Sequence, residues 1–417
     1  MLKPLFARSL PCVLLAAALP ARGVEVTPVF NASLSAGQYF FQGQRGSFSG
    51  NSTVVAAPLI KLSPRWSMMP MYLGNYRGTK GVDDGVGAGT LFQQEMDHRL
   101  SVTGIRVLEG TTWRLKPQAS YKREFLKETR DETWGKGLFD YEKIAVGLEA
   151  ENLYKDPFVF RAAVDLWRTR FPQYESLESR SGTDPSGNPL GRELAPRKVL
   201  DAWNAQLTLS GSRPVPFADP AVALQASWSF LYQNYSEQKV VNARGQFDRT
   251  GRRDLLNSAS LSVVHPRPVR LFGHDARLDL TGGLNLAYNA SNQNTFDAAK
   301  TQFVPDAYGF WSFGLGPAAA LSWGDRKTPE RLSMGLRWNR VRYTGRLVQD
   351  GDGVYSSAKQ YQDRTTLSLG FDHPVAPKFT LTTRVNALWA SSNHKFDKNY
   401  KYTYRAMTYH IGVAYEY

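Results

Sequence analysis

The sequence predicts an all-β fold, a transmembrane antiparallel up-and-down β-barrel of about sixteen strands. Three observations predict it. Side chains alternate between apolar and polar with a period of two, over segments of roughly nine to eleven residues, the length a tilted strand needs to cross a bilayer. The connections between these segments alternate between short and long. The last segment ends on a run of alternating aromatic and aliphatic residues.

The alternation is clearest where Leu278, Leu280, Gly282, Leu284, Leu286 and Tyr288 oppose Arg277, Asp279, Thr281, Gly283 and Asn285. The same split recurs as Phe158, Phe160, Ala162, Val164 and Leu166 against Arg161 and Asp165, and as Val222, Leu224, Ala226, Trp228 and Phe230 against Gln225, Ser227 and Ser229. It returns as Phe379, Leu381, Val385, Ala387 and Trp389 against Thr380, Thr382, Arg384 and Asn386. Extending this reading places strands near 28–41, 52–62, 66–76, 97–108, 113–127, 141–154, 158–171, 201–211, 221–235, 254–264, 275–289, 308–323, 330–343, 363–372, 379–391 and 403–417. An even count suits a bacterial single-chain barrel, which closes with both termini at the same end.

Composition is consistent with that fold. A mean hydropathy of −0.39 would suit a soluble chain, but each barrel strand spends half its residues on a polar lumen. The 10 Trp, 20 Tyr and 22 Phe supply amphipathic rings for the zone where apolar and wet surfaces meet. Residues 1–23 read as a secretory signal: Lys3 and Arg8 precede an apolar stretch from Leu10 to Leu19, and Ala21 and Gly23 offer small residues for cleavage before Val24. Residues 24–417 then form one barrel domain. Cys12, the only cysteine, lies in that leader, so no disulfide framework or thiolate metal site is expected in the mature chain. Losing Lys3, Arg8 and Arg22 lowers the formal charge from +14 to +11. A basic exported protein favours anionic partners, such as lipopolysaccharide phosphates or anionic solutes, and not nucleic acid.

Export gives the two classes of connection a direction. Ser63-Pro64-Arg65, Glu109-Gly110, Tyr154 to Pro157, Gly324 to Glu330 and Asp372-His373-Pro374 read as short periplasmic turns. Tyr76 to Met96, Pro172 to Leu200, Ser236 to Arg253, Asn289 to Asp306 and Gly345 to Asp363 read as long extracellular loops. The loop from Pro172 to Leu200 is the expected constriction. The glycine-rich stretch Gly81 to Gly89 lacks the ending of a phosphate loop, and Asp350-Gly351-Asp352-Gly353 lacks the glutamate that completes a calcium loop, so both read as external loops.

In the last strand, Thr403, Met407, Tyr409, Ile411, Val413, Tyr415 and Tyr417 share one face. This run resembles the closing strand of the outer-membrane β-barrel superfamily, porin-like proteins whose terminal aromatic strand is read by the barrel-assembly machinery. The resemblance implies that Tyr409, Ile411, Val413, Tyr415 and Tyr417 form the assembly signal and that the chain resides in the outer membrane of a Gram-negative bacterium. There are also internal echoes. Ala290-Ser291-Asn292 with Phe296-Asp297 is matched by Ala390-Ser391 with Phe396-Asp397, and Leu261-Ser262 leading to His265-Pro266 by Leu367-Ser368 leading to His373-Pro374. The stretch from Ser392 to Asp397 is similar to the last loop of the barrels in exopolysaccharide-secretion proteins and surface-lipoprotein assembly modifiers, which implies periplasmic export partners.

If the apolar faces meet lipid, Arg114, Lys116, Lys122, Lys143, Arg161, Arg277, Arg337, Arg364 and Arg384 point into the lumen, together with Glu124, Glu149, Asp165, Asp279 and Asp372. They either pair across strands and plug the pore or leave a mildly positive channel that concentrates anions. Arg168, Arg170, Arg340 and Arg342 fall near the outer ends of lipid-facing strands, where they snorkel or meet lipopolysaccharide phosphates. Of the six histidines, His265, His274 and His373 fall in short turns, His410 stands alone on an inward face, and His98 and His394 lie near the outside with no evident serine or carboxylate partner. No enzyme, metal or cofactor is expected. The reading favoured by the residues is a channel for hydrophilic, anionic solutes. An export conduit for exopolysaccharide or a surface protein and a non-conducting structural or adhesion barrel stay open beside it.

Overall fold

The computed structural model describes residues 24–42, 46–78, 94–127, 132–153, 158–174, 198–271, 273–296, 302–325, 327–396 and 402–417. The expected leader, the glycine-rich stretch Gly81 to Gly89, the turn Tyr154 to Pro157 and most of the expected constriction loop lie outside these residues.

Backbone groups in a bilayer must be satisfied within the protein, and here one continuous ladder does this. Its wall strands are β1 (Glu25–Thr27 continuing as Phe30–Phe41), β2 (Ser47–Ala56 continuing as Leu59–Lys61), β3 (Trp66–Arg77), β4 (Gln94–Val107), β5 (Trp113–Lys127), β6 (Tyr141–Leu153), β7 (Val159–Arg170) and β8 (Ala202–Val215). They continue with β9 (Val222–Val241), β10 (Phe247–Leu271), β11 (His274–Ser291), β12 (Phe310–Leu315 continuing as Ala318–Gly324), β13 (Pro329–Gln349), β14 (Tyr355–Ala376), β15 (Phe379–Ser392) and β16 (Tyr404–Glu416). Each pairs antiparallel with its sequence neighbours, and β16 returns to β1 from Asn31↔Glu416 to Phe41↔Ala406. The barrel is closed and antiparallel, with sixteen strands. The three interruptions fall at prolines, which cannot donate to a ladder: Pro28, Pro58 and Pro317.

Both termini lie at one end, where the connections are short. Leu62 N–H donates to the Trp66 carbonyl at 2.9 Å across the β2–β3 turn. Gly110 supplies the left-handed φ of +67° that the β4–β5 turn requires. Only Pro377 and Lys378 join β14 to β15. At the opposite end the connections vary in length, and two expectations need correction. The segments 236–253 and 345–363 are not long loops: β9 and β13 run on to Val241 and Gln349, and β10 and β14 begin at Phe247 and Tyr355. Only 242–246 and 350–354 turn. At 25 residues, β10 would reach about 80 Å if fully extended, well beyond a bilayer. Past the membrane both faces of these hairpins meet water and lose their alternation, which is why they read as loops. Register shifts after Asn234 and after Arg342 mark the changeover.

The two hairpin tips are built alike. Asn242 Oδ1 accepts from the Arg244 and Gln246 amides, both at 3.0 Å, with Gly245 at φ +76°. Asp350 Oδ1 accepts from the Asp352 and Val354 amides at 3.0 and 2.9 Å, with Gly353 at φ +87°. The sequence echoes fall on the same frame, since His265-Pro266 lies in β10 and His373-Pro374 in β14, four strands further round. His265 and His373 therefore belong to strands, not turns, and His274 opens β11.

The outer face carries the apolar parity. Val146, Leu148, Val164, Leu166, Leu286, Leu336 and Ile411 are all exposed on it. Aromatic and cationic side chains border the belt at both ends. Arg106 lies over Trp66 at 5.2 Å at the short-turn end, and Arg168 over Trp203 at 5.4 Å at the long-loop end. This is the surface of a barrel seated in a bilayer. We expect Leu286→Arg, on the outer face, to destabilise the folded barrel by about 2–4 kcal/mol. Ala287→Arg, one residue away on the inner face, should leave it nearly unchanged. Urea unfolding in lipid vesicles, read by the gel mobility of unheated samples, checks the pair.

Candidate lumenal binding site

The inner parity divides the wall into sectors. From β4 to β7 it is densely charged and internally paired. Lys116 Nζ meets Glu149 and Glu151, each at 2.8 Å, and Arg161 Nε meets Glu151 at 2.7 Å. Lys122 Nζ lies 2.7 Å from Glu124 and 3.7 Å from Asp97, while Gln118 donates to Asp165 at 2.7 Å. Lys143 stacks over Trp167 at 4.1 Å. Among the described residues, Arg114 has no carboxylate partner. On this side the cross-strand pairing expected from sequence holds for most of the residues singled out.

From β8 to β11 the inner wall is mainly neutral hydroxyls and amides. Ser227 and Ser229 of β9 meet Ser260 and Ser258 of β10 through hydroxyl contacts, both of 2.7 Å. Cross-strand register extends the row to Ser210 and Thr208 on β8 and to Asn285 on β11. These groups offer hydrogen-bond donors and acceptors without adding charge.

The third sector, β11 to β15, has an arginine excess. Arg277 Nε donates to Asp279 at 2.8 Å, and Arg384 Nη2 to Asp372 at 2.5 Å. Arg337 and Arg364 face the same interior by register. Arg331 joins them, an inward residue that the sequence reading missed even though it lies six positions before Arg337 on the same face. Among the described residues Arg331 and Arg337 have no carboxylate partner, and both are exposed to the lumen. Small residues make the wall concave at this point. Ala318, Ala320, Gly335 and Gly370 floor a hollow of about 320 Å³ whose rim carries Arg331, Arg384, Asp279, Ser333 and Asn386. A Cβ on Gly370 would sit 2.6 Å from Ser333 Oγ and 3.2 Å from Arg384 Nη1, so glycine keeps the hollow open and lets Arg384 cross it. The Arg384 guanidinium is held by the Phe371 and Thr383 carbonyls at 3.2 and 3.0 Å. One pinned and one free guanidinium beside hydroxyl and amide groups suit an anionic, hydroxyl-bearing solute.

Most buried inward residues lie in the third of the barrel next to the long loops: Tyr39, Phe41, Asp97, Glu124, Asn204, Asp254, Gln362 and Tyr404 belong to this ring. Inward side chains pack closely against one another there. His410 is part of it and is not alone as expected: its Nε2 contacts Ser49 Oγ at 2.9 Å. Ser49 is 1% exposed, so this serine–histidine pair is closed to a substrate. His98, on the outer face, contacts the Tyr72 hydroxyl at 2.9 Å. Arg252, stacked between Tyr235 at 4.2 Å and Tyr308 at 4.1 Å and bonded to Asp254, ties the β9–β10 hairpin to the segment before β12.

Two asparagines extend the ladder where a strand stops. Beyond the end of β11, Asn292 Oδ1 accepts from the Arg253 amide at 2.7 Å and its Nδ2 donates to the Gly251 carbonyl at 3.1 Å. Beyond β15, Asn393 does the same for Tyr361 and Lys359 at 2.9 and 3.0 Å. The Ser-Asn flavour of these loops thus has a structural cause: each carboxamide stands in for a backbone pair at the base of a projecting hairpin. The neighbouring His394 Nδ1 accepts from the Gln349 amide at 3.3 Å. Burial, reinforced by Arg346 and opposed by a hydrogen bond with the Phe396 backbone, holds the His394 imidazole below its ordinary pKa. Protonation would fill the accepting lone pair. The stability this contact adds is therefore complete above about pH 6.5 and is lost as pH falls below it. Hydrogen exchange at the Gln349 amide should accelerate on acidification beyond its intrinsic rate, and His394→Gln should abolish that excess. Loss of two hydrogen bonds in Asn393→Ala should cost about 1–3 kcal/mol and expose the β13–β14 hairpin to limited proteolysis.

No family model matches this chain, and no curated protein matches it. Several solved structures are similar to it along most of its length. OmpT of Vibrio cholerae is 10% identical, covering 96% of this chain and 99% of its own, with a TM-score of 0.45. A bacterial polysaccharide outer membrane secretin is 8% identical over 94% and 98%, also with a TM-score of 0.45. OccK2 of Pseudomonas aeruginosa, solved in complex with glucuronate, is 11% identical over 94% and 96%, with a TM-score of 0.41. The closed barrel rests on the chain's own strand register.

Proposed function

We propose that this protein is a channel of the Gram-negative outer membrane that passes hydrophilic, anionic solutes, with its long loops outside and its short turns in the periplasm. The observation that carries this reading is the lumenal hollow between β11 and β15, where Arg331, without a carboxylate partner among the described residues, accompanies the pinned Arg384, with Arg337 further along the same inner face. A structural barrel gains nothing from leaving guanidinium groups unpaired on a concave inner wall. A channel gains a higher local concentration of anions. The serine-rich sector provides neutral hydrogen bonding along the same passage, and the ring of buried inward side chains next to the loops acts as the size filter.

Planar-bilayer recording tests this. Steady openings are expected, with a reversal potential of anion-selective sign in a salt gradient. Arg331→Gln with Arg337→Gln should lower the anion-to-cation permeability ratio about threefold. Glucuronate, a carboxylate with a ring of hydroxyls, should reduce chloride current in the parent protein more than in the double variant. A folded protein that never conducts would overturn the channel in favour of a structural barrel, and cation preference would overturn the anionic solute.

A further inference from the structure

On the outside of the barrel, at the long-loop margin of the apolar belt, a second cavity of about 440 Å³ is lined by Trp311, Arg342, Tyr343, Thr344 and Lys359. A bulge builds it. β13 advances from Arg342 to Leu347 while β14 retreats only from Tyr361 to Lys359, so the surplus residues bow away from the ladder. Trp311 is 58% exposed, stacks on Tyr288 at 4.2 Å and is the register partner of Arg342. Lys359 Nζ donates to the Gly345 carbonyl at 3.1 Å. Among the described residues, neither Arg342 nor Lys359 has a carboxylate partner.

We infer that this cavity holds the phosphorylated headgroup of an outer-leaflet glycolipid of the lipid A class. Two cations without carboxylates ask for an anion, and the aromatic wall offers a flat face to a sugar ring. The cavity opens onto lipid-facing side chains, with Leu286, Phe313, Leu315 and Leu336 exposed on the strands beneath it. Acyl chains attached to the headgroup would lie along that surface, and a free phosphate has no use for it. Two other outward arginines are less suited: Arg340 is held by both carboxylate oxygens of Asp363 at 2.8 Å, and Arg123 lies 3.8 Å from Glu142. This inference rests on the membrane placement proposed above and is independent of whether the lumen conducts.

Native mass spectrometry of the full protein released from detergent micelles tests it, with diphosphorylated lipid A as the probe. The parent protein should retain one lipid A, and Arg342→Gln with Lys359→Gln should bind it about tenfold more weakly. Arg342→Lys with Lys359→Arg, which keeps both charges, should bind close to the parent level. Heat-dependent gel mobility establishes that each variant is folded. Unchanged retention by the folded double glutamine variant would overturn the site. Equal retention of dephosphorylated lipid A, or complete displacement by inorganic phosphate, would overturn a phosphorylated lipid as the occupant. Bilayer conductance measured on the same variants should remain at the parent level.

Discussion

A strand in hydrocarbon has no water with which to pair its edge, so the whole molecule depends on the seam where β16 meets β1. Each unsatisfied backbone group in a bilayer core costs several kcal/mol, and an open sheet would leave two full edges of them. Here the seam is zipped from Phe41↔Ala406 to Asn31↔Glu416 and finished by reciprocal bonds between Phe30 and Tyr417, at 2.8 and 3.3 Å. Lys378 seats the last ring, its Nζ 3.4 Å from the Tyr417 centroid. Tyr409, Ile411, Val413 and Tyr415 all stand on the outer face of this closing strand. A segment with those side chains is apolar enough to sit in lipid, and it is tied to both of its neighbours by backbone ladders and by ring contacts of Tyr409 with Phe40 and of Tyr415 with Phe30 and Phe379.

Once the wall is closed, period two has consequences that a sequence reader can follow. Alternation assigns a residue such as Arg277 or Asp279 to the face opposite Leu278 and Leu280, because one face of each spanning segment has to be apolar. Legibility fails where that requirement stops. Beyond the belt, Ser236 to Lys239 and Asp248 to Arg253 have water on both sides, so nothing forces alternation, and strand and loop look alike in composition. The signals that would have found the hairpins are local. Asn242 and Asp350 each stand three residues before a glycine, in the pattern of a tight side-chain-capped turn. The repeated Asn292 and Asn393 could be seen but not interpreted, since each acts on a strand it is not adjacent to in sequence.

Charge pairing was less legible than charge direction. Lys116 meets Glu149 across one strand boundary, while Gln118 reaches Asp165 across two. Which carboxylate a lysine finds depends on stagger between strands, and a shift of two residues keeps every side chain on its face while exchanging all its partners. Alternation therefore leaves open whether a lumen full of charges is plugged or polarised. The structure answers differently for different parts of the wall. Between β4 and β7 the acids and bases largely neutralise one another, whereas on β13 to β15 Asp372 is engaged by Arg384, and Arg331 and Arg337 have no carboxylate partner among the described residues.

These two sectors lie on opposite sides of the ring, about half the strands apart, which gives the lumen a direction as well as a sign. In the proposed channel a solute would pass between a wall whose charges are mutually satisfied and one whose Arg331 and Arg337 have no carboxylate partner among the described residues. Field lines from the latter, focused by the low-dielectric barrel, act on the solute and are not cancelled locally. Small residues reinforce this: Gly335, Gly370, Ala318 and Ala320 withdraw the wall where the arginines are, so a hydrated anion can approach without shedding all its water. On the adjoining serine-rich wall, Ser227 with Ser260 and Ser229 with Ser258 satisfy each other at rest and can exchange those bonds for solute hydroxyls. Because neutral hydroxyl bonds net only about 1 kcal/mol each, such exchange grips a solute weakly enough to release it, as passage requires. In the proposed channel the arginine sector would decide which solutes enter, and the hydroxyl sector would keep them from being trapped.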